Sequence, residues 1–159
     1  MASAGQAHGA DLLDSLARRF PGVLYRCSAD EHWTMGYLSP GIEALSGYPP
    51  EDFIGNRVRS YASLIHPEDR EKVDREVDVA VSKGQPFDIE YRLVDAAGRV
   101  RWVQERGHAV LDEGGRAQWL DGVILETTGT RRLAEQLSAI IEHTPNVAIQ
   151  SYSEDGVVL

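Results

Sequence analysis

The sequence predicts an α+β fold, and three observations carry that prediction. Short apolar runs bounded by turn residues open the chain, helical segments with proline starts fill its middle, and strict apolar-polar alternation marks its later part. An amphipathic segment stands on either side of this block. The implied order is two strands, three helices, then an antiparallel three-strand meander.

Each element has its own local reason. Residues 1–10, MASAGQAHGA, carry no periodicity and are expected to be disordered. Residues 11–20, DLLDSLARRF, set Leu12, Leu13, Leu16, Ala17 and Phe20 at three- and four-residue spacings, with acids early and arginines late, as a helix and its dipole require. Pro21-Gly22 stops this helix, VLYRCSA follows as a strand, and a second strand runs from near Trp33 to about Leu38. Ser39-Pro40 then offers an N-cap and a first helical residue, with Gly47 and Pro49 ending the helix after about two turns. Pro49-Pro50-Glu51-Asp52 repeats that start, and LIHPEDREKVDREVDVAVSKG places Val73, Val77, Ala80 and Val81 on one face before Gly84.

From Phe87 the period becomes two: Phe87, Ile89, Tyr91 and Leu93 alternate with Asp88, Glu90 and Arg92. DAAG and DEGG are turns separating this strand from VRWVQERGHAVL and AQWLDGVILE. The middle strand sets Trp102 with Gln104 and Arg106, and Val103 with Glu105. Either both faces are partly covered, or a bulge near Gly107 shifts the register. Glu90 and Arg92 are expected to pair across strands with Arg101 or Glu105 in a solvated ladder. RRLAEQLSAIIEHT closes the block with a stripe of Leu133, Leu137, Ile140 and Ile141.

Composition narrows the function. The 159 residues make room for one domain and a connecting element, and 42% hydrophobic with 26% charged residues is the balance of a globular chain. Sixteen basic against 25 acidic residues give a net charge of −9, a field that repels phosphate and argues against a nucleic-acid partner. Cys27 is the one cysteine, so no internal disulfide forms, in keeping with a reducing compartment. No apolar run is long enough to span a bilayer, and the first residues lack the basic start and apolar centre of an export signal. A cytoplasmic module is expected, in a parent protein that is free to be membrane-associated.

A shift of 124 positions sets Pro145 on Pro21 and matches Leu137 with Leu13, Ile140 with Leu16, Val147 with Val23 and Ile149 with Tyr25. Helix, proline, strand and acidic turn recur in the same order. Residues 144–159 are therefore read as the beginning of a second copy of the unit.

Several stretches carry a family resemblance. LSPGIEALSGYPPEDFIG, LIHPEDR and FDIEYRLVDAAGRVRWV resemble the helical segment, helix start and hairpin of PAS sensor domains. ETTGTRRLAEQL stands where that family has an Asp-Ile-Thr-Glu-Arg ending, departing from it at Glu126, Gly129 and Thr130. The resemblance covers about residues 11–142. It implies a five-stranded antiparallel sheet with short helices on one face, a flanking helix over 11–20, the sensor domain over 21–130, a connecting signalling helix over 131–143, and a truncated second PAS unit from 144. The flanking helix would pack on the sheet or on a partner molecule.

No enzyme motif is present: there is no phosphate-binding glycine loop and no G-x-S-x-G, so no catalytic residue is assigned. His8, His32, His66, His108 and His143 lie too far apart in sequence for a metal motif, which leaves no metal site and makes haem a poor expectation. His66 reads as a helix-start residue and Cys27 as an inert buried thiol. GNRVRSYASL lacks the cysteine that the flavin-photoreceptor branch of the family uses, so no flavin adduct is expected and the cofactor stays unknown. Leu64, Ile65, Val73, Val77, Ile89, Tyr91, Trp102, Trp119 and Val123 are the candidates for a ligand pocket, with a solid core as the alternative. Leu12, Leu13, Leu16 and Phe20, with Leu133, Leu137, Ile140 and Ile141, are the candidates for dimer and signalling helices. The resemblance implies a sensory module of a bacterial signalling protein, foremost a sensor histidine kinase. Its partners would be a second copy, a downstream output domain of the same polypeptide, and a small-molecule ligand. A diguanylate cyclase or chemoreceptor parent, or a ligand-free dimerisation module, are the alternatives.

Overall fold

The computed structural model describes residues 4–143. The expected second PAS beginning, 144–159, lies outside the described residues. Helix α1 spans Ala4–Arg19, so the helix begins well before Asp11 and takes in much of the stretch expected to be disordered. Strands β1 (Val23–Ser28) and β2 (Met35–Leu38) form the first hairpin. Helix α2 (Gly41–Ser46), 3-10 turns at Pro50–Asp52 and Tyr61–Leu64, and α3 (Arg70–Ser82) follow. Strands β3 (Phe87–Val94), β4 (Val100–Leu111) and β5 (Ala117–Glu126) make the meander, and α4 spans Thr128–His143. All pairings are antiparallel in one five-stranded sheet of order β2-β1-β5-β4-β3.

The return from β3–β4–β5 to β1 is what closes the core. β5 lies beside β1, so the two hairpin systems share one inner face, which α2, the 3-10 turns and α3 cover. Val73 and Val77 of α3 are buried there, as their spacing requires. Ser39 acts differently from expectation. It is fully buried, its hydroxyl accepts from Leu24 N at 2.8 Å, and its own N–H donates to Leu24 O at 2.9 Å, so it ties α2 to β1 while Pro40 takes the N-cap position. Gly47 ends α2 in a left-handed conformation, φ 82°, that a side chain would strain.

β3 is an edge strand, and the segment ahead of α3 covers its open backbone. Ile65 bridges to Leu93, His66 N donates to Arg92 O at 2.9 Å, and Arg92 N donates to Asp69 Oδ2 at 2.9 Å. His66 was expected at the start of the helix, but Asp69 is the N-cap of α3 and His66 precedes the turn before it, its Nδ1 accepting from Glu68 N.

Strand β4 keeps its register through Gly107; the irregularity falls later, between Val110 and Leu111. The mixed pattern of β4 therefore needs no bulge. Val103, Glu105 and Gly107 are buried on the inner face, and Trp102, Gln104 and Arg106 belong to the outer face. The cross-strand ladder also differs from expectation. Arg92 reaches Asp69 and Glu68, Arg101 reaches Asp95 and Glu126, and Glu105 turns inward.

By internal contacts, residues 1–128 form one unit and 129–159 another. In α4, Leu133, Leu137 and Ile140 are solvent-exposed.

Candidate functional site: a buried carboxylate in an apolar chamber

Two rows of residues cross the inner face of the sheet and build the site. In one, Val23, Ile124, Glu105 and Ile89 stand opposite one another on β1, β5, β4 and β3. A glutamate thus occupies the middle of an aliphatic row, 8% exposed. In the next row Tyr25 faces Gly122, Gly122 faces Gly107, and Gly107 faces Phe87. A Cβ on Gly107 would lie 2.5 Å from the Phe87 ring, and one on Gly122 would lie 2.6 Å from Arg106 O and from the Tyr25 hydroxyl. The two glycines leave a hollow in the floor of the sheet, and the two aromatic rings lie across it.

Above these rows is a cavity of about 30 Å³. Tyr25 and Cys27 of β1, Met35 of β2, Phe87, Glu105, Leu120 and Ile124 of the remaining strands, and Val73 and Val77 of α3 line it, with Trp33 and Tyr61 completing the wall. Trp33 is the half-exposed member of this wall; the others are buried. Its backbone is left-handed, φ 46°, an outlier for so bulky a residue. Asp30 Oδ1 accepts from His32 N and Thr34 N on either side of it, and Asn56 donates to His32 O and accepts from Met35 N. These bonds over-determine the turn and hold the indole against the chamber.

The chamber's polar groups form a directed chain. The Tyr91 hydroxyl donates to Glu105 Oε2 at 2.7 Å, and the Tyr61 and Tyr91 hydroxyls are 2.8 Å apart. A hydroxyl has one proton, so with Tyr91's committed to Glu105, Tyr61 donates to Tyr91. Burial pushes Glu105 above the usual carboxylate range, opposed by the neighbouring Tyr25 and Tyr91 hydroxyls. Burial, and then the charge of Glu105, raises Tyr61 and Tyr91 well above the ordinary phenol. Tyr25 is raised by burial, then by the charge of Glu105 and a hydrogen bond toward it; that bond is too long or bent to satisfy the buried hydroxyl, which has no partner within ordinary hydrogen-bond limits. Burial pushes the Cys27 thiol up to about 12, so it is a buried, unreactive thiol.

Of the sequence-predicted pocket residues, Val73 and Val77 line the chamber. Leu64, Ile65, Ile89 and Tyr91 are buried in the core around it, Tyr91 touching it through Glu105. Trp102, Trp119 and Val123 stand on the outer face and are not brought to it. The Arg92 guanidinium lies 5.6 Å from the Trp102 ring centre, Arg26 lies 5.6 Å from that of Trp119, and Val123 lines an outer groove. Tyr25, Cys27, Met35, Phe87, Leu120 and Ile124 line the chamber without having been expected there, as do Trp33, Tyr61 and Glu105. The shared parity of Glu105 and Val103 was the available signal for the last.

The outer groove, about 750 Å³ and open, is lined by Leu13, Asp14 and Ala17 of α1 and by Leu24, Arg26 and Asp121 of the sheet. Ala17 is buried, whereas Leu12, Leu13 and Leu16 are exposed.

At the far end of β4, Arg101 joins Asp95 at 3.0 Å to Glu126 at 3.0 Å. Trp102 N donates to Thr128 Oγ1 at 2.9 Å and Thr127 N donates to Trp102 O at 2.8 Å. Burial alone would raise Asp95, but the N–H groups of Arg99 and Ala97 and the Arg101 guanidinium hold it below the usual carboxylate range. The strand that carries Glu105 is thereby fastened to the segment where α4 begins.

Such a sheet, with an internal chamber on one side and an exit helix leaving its central strand, defines a sensor-type module. The chain belongs to the PAS fold family, whose profile it matches over residues 36–124. It is 34% identical over 116 residues to the methyl sulfide methyltransferase-associated sensor of Methanosarcina acetivorans, covering 72% of this chain and 11% of that protein. It is 32% identical over 116 residues to the blue-light-activated histidine kinase of Brucella anthropi, covering 69% and 22%. A solved sensory box histidine kinase/response regulator from Burkholderia thailandensis shares 26% identity and a TM-score of 0.64, over 84% of this chain and 95% of that one. The chain spans about a tenth to a fifth of the length of these two curated relatives. It is a PAS sensory module of the kind found in signalling proteins. Among the described residues, no helix is long and apolar enough to cross a membrane, and no group of three or more potential metal ligands occurs.

Proposed function

We propose that this module serves a cytoplasmic, multi-domain sensor histidine kinase, in which a small ligand or partner alters the chamber and the change passes along β4 and β5 into α4. The observation that carries this reading is the Arg101 bridge between Asp95 and Glu126, together with the Trp102 backbone bonds to Thr127 and Thr128. A shift of Glu105 displaces the same strand that Arg101 and Trp102 fasten to the start of α4. The exposed Leu133, Leu137 and Ile140 stripe would pair with a second copy and hand the change to an output domain. Histidine kinases among the relatives support this output.

The size of the chamber favours a second reading, a ligand-free dimerisation module, since about 30 Å³ holds only a few atoms. One experiment separates them. The parent polypeptide is incubated with labelled ATP, with and without Val77→Phe, which fills the chamber. Phosphate on a histidine whose level changes at least about threefold with the substitution supports a sensing kinase, on the scale of ordinary coupling energies. Unchanged phosphorylation supports the scaffold. Production of a cyclic dinucleotide from GTP transfers the reading to a cyclase parent.

A further inference from the structure

We propose that the Glu105 chamber receives a small organic cation, ammonium or a short alkylammonium, held by the Glu105 carboxylate and the Tyr25 hydroxyl beneath an aromatic wall of Trp33, Tyr61 and Phe87. This rests on the reading of the chamber as the sensory site and names its ligand class.

Charge is the first argument. Glu105 is buried, and no lysine, arginine or histidine lines the chamber or pairs with it among the described residues. An anionic guest would meet an acid with nothing to offset the repulsion, whereas a cation supplies the missing counter-charge. Hydrogen bonding is the second. Tyr91 donates to Oε2, no hydroxyl reaches the carboxylate's remaining lone pairs within ordinary hydrogen-bond limits, and the buried Tyr25 oxygen accepts from nothing. Both are acceptors for N–H donors.

The aromatic wall is the third argument. Elsewhere in the molecule guanidinium groups cover aromatic faces: Arg26 over Trp119, Arg59 over Tyr48 at 3.5 Å, Arg92 over Trp102. Among the described residues the chamber rings are given no such cation, and aromatic faces beside a carboxylate are the environment in which an ammonium is held most strongly. Size is the last. A cavity of about 30 Å³ takes roughly two or three heavy atoms, which admits ammonium and methylammonium and excludes tetramethylammonium. Trp33, the half-exposed wall residue, is the point of entry.

The test uses the chain labelled with 5-fluorotryptophan and followed by fluorine NMR, with Trp33→Phe assigning the Trp33 resonance. Methylammonium chloride is titrated at neutral pH against sodium chloride of equal ionic strength, and methanol and tetramethylammonium chloride are titrated in parallel. A guest of two heavy atoms binds no tighter than the millimolar range, so the titration runs to about 100 mM. The expected result is a saturable shift of the Trp33 signal with methylammonium and binding at least about tenfold weaker for methanol and for tetramethylammonium. Glu105→Gln, which keeps the shape and removes the charge, should weaken methylammonium at least about tenfold while the far-ultraviolet circular dichroism stays that of the folded chain. Equal binding of methanol and methylammonium in the unsubstituted chain overturns the proposal without needing any variant, as does undiminished binding by a folded Glu105→Gln chain. No saturable shift also overturns it; if Val77→Phe still changes the output of the parent, the sensory reading survives that loss. A Trp33 shift with no change in amide exchange over 128–143 supports the ligand class and removes the relay.

Discussion

The two faces of the same sheet handle charge in opposite ways. On the outer face, Arg26 and Asp121 meet at 2.6 Å, Arg106 meets Asp88 at 3.0 Å, and these pairs stand in water. On the inner face, one acid stands among Val23, Ile124 and Ile89 with tyrosine hydroxyls as its neighbours. The outer charges are cheap and replaceable, and the inner one is costly and fixes what surrounds it. A residue's chemistry is thus set by strand parity before it is set by its side chain.

The largest expected effect comes from Tyr91→Ala. It removes a fully buried ring and the proton donor of Glu105, and should cost about 3–5 kcal/mol in urea unfolding. A loss below about 1 kcal/mol would place Glu105 in water and erase the contrast between the faces. Gly122→Ala comes next, at about 1–3 kcal/mol, because its Cβ collides with Arg106 O, a backbone atom that cannot turn aside.

pH sharpens the comparison, since the acids of the two faces titrate with opposite consequences. Glu105 is held above its ordinary 4.5, so its contribution to stability is full below that pH and is lost as the pH rises through the raised value. On Asp121 the Arg26 bond outweighs burial, and on Asp69 the Arg92 bond does the same. Both are held below their ordinary 3.8, so their contributions are full above it and are lost as the pH falls. Glu105→Gln should therefore gain on the unsubstituted chain as pH rises above 4.5 in urea titrations, whereas Asp121→Asn should lose most at neutral pH and draw level in acid. A pH-independent difference for Glu105→Gln would sink the inner-face account. The smallest effect belongs to the outer pair: a double-mutant cycle on Arg26 and Asp121 should give about 0.2–1 kcal/mol, falling with salt.

Much of the fold was legible because its elements are local. The order of strands and helices followed from proline and glycine punctuation and from the period-two run at Phe87. Two stretches were misjudged: residues 1–10, expected to be disordered, lie largely within α1, and the one short helix expected to open at Pro49-Pro50 is a pair of 3-10 turns, too short to show a period. The site was less legible, for two reasons. Trp102 and Trp119 look like core by size, yet arginines stacked on their faces let them sit outside. Glu105, between Gln104 and Arg106, looks like part of a solvated charged run until its parity with Val103 is taken seriously. Tyr61 reaches the site from a turn 30 positions away from Tyr91, which no local pattern discloses.

The paired glycines at 107 and 122 bear on how this module could be refitted. Because nothing projects from the sheet beneath Tyr25 and Phe87, trimming either ring adds its volume directly to the void above, with no strand asked to move. Guest size is then governed by two side chains on opposite strands, and a series of substitutions at those positions would yield a graded set of receptors on an unaltered scaffold.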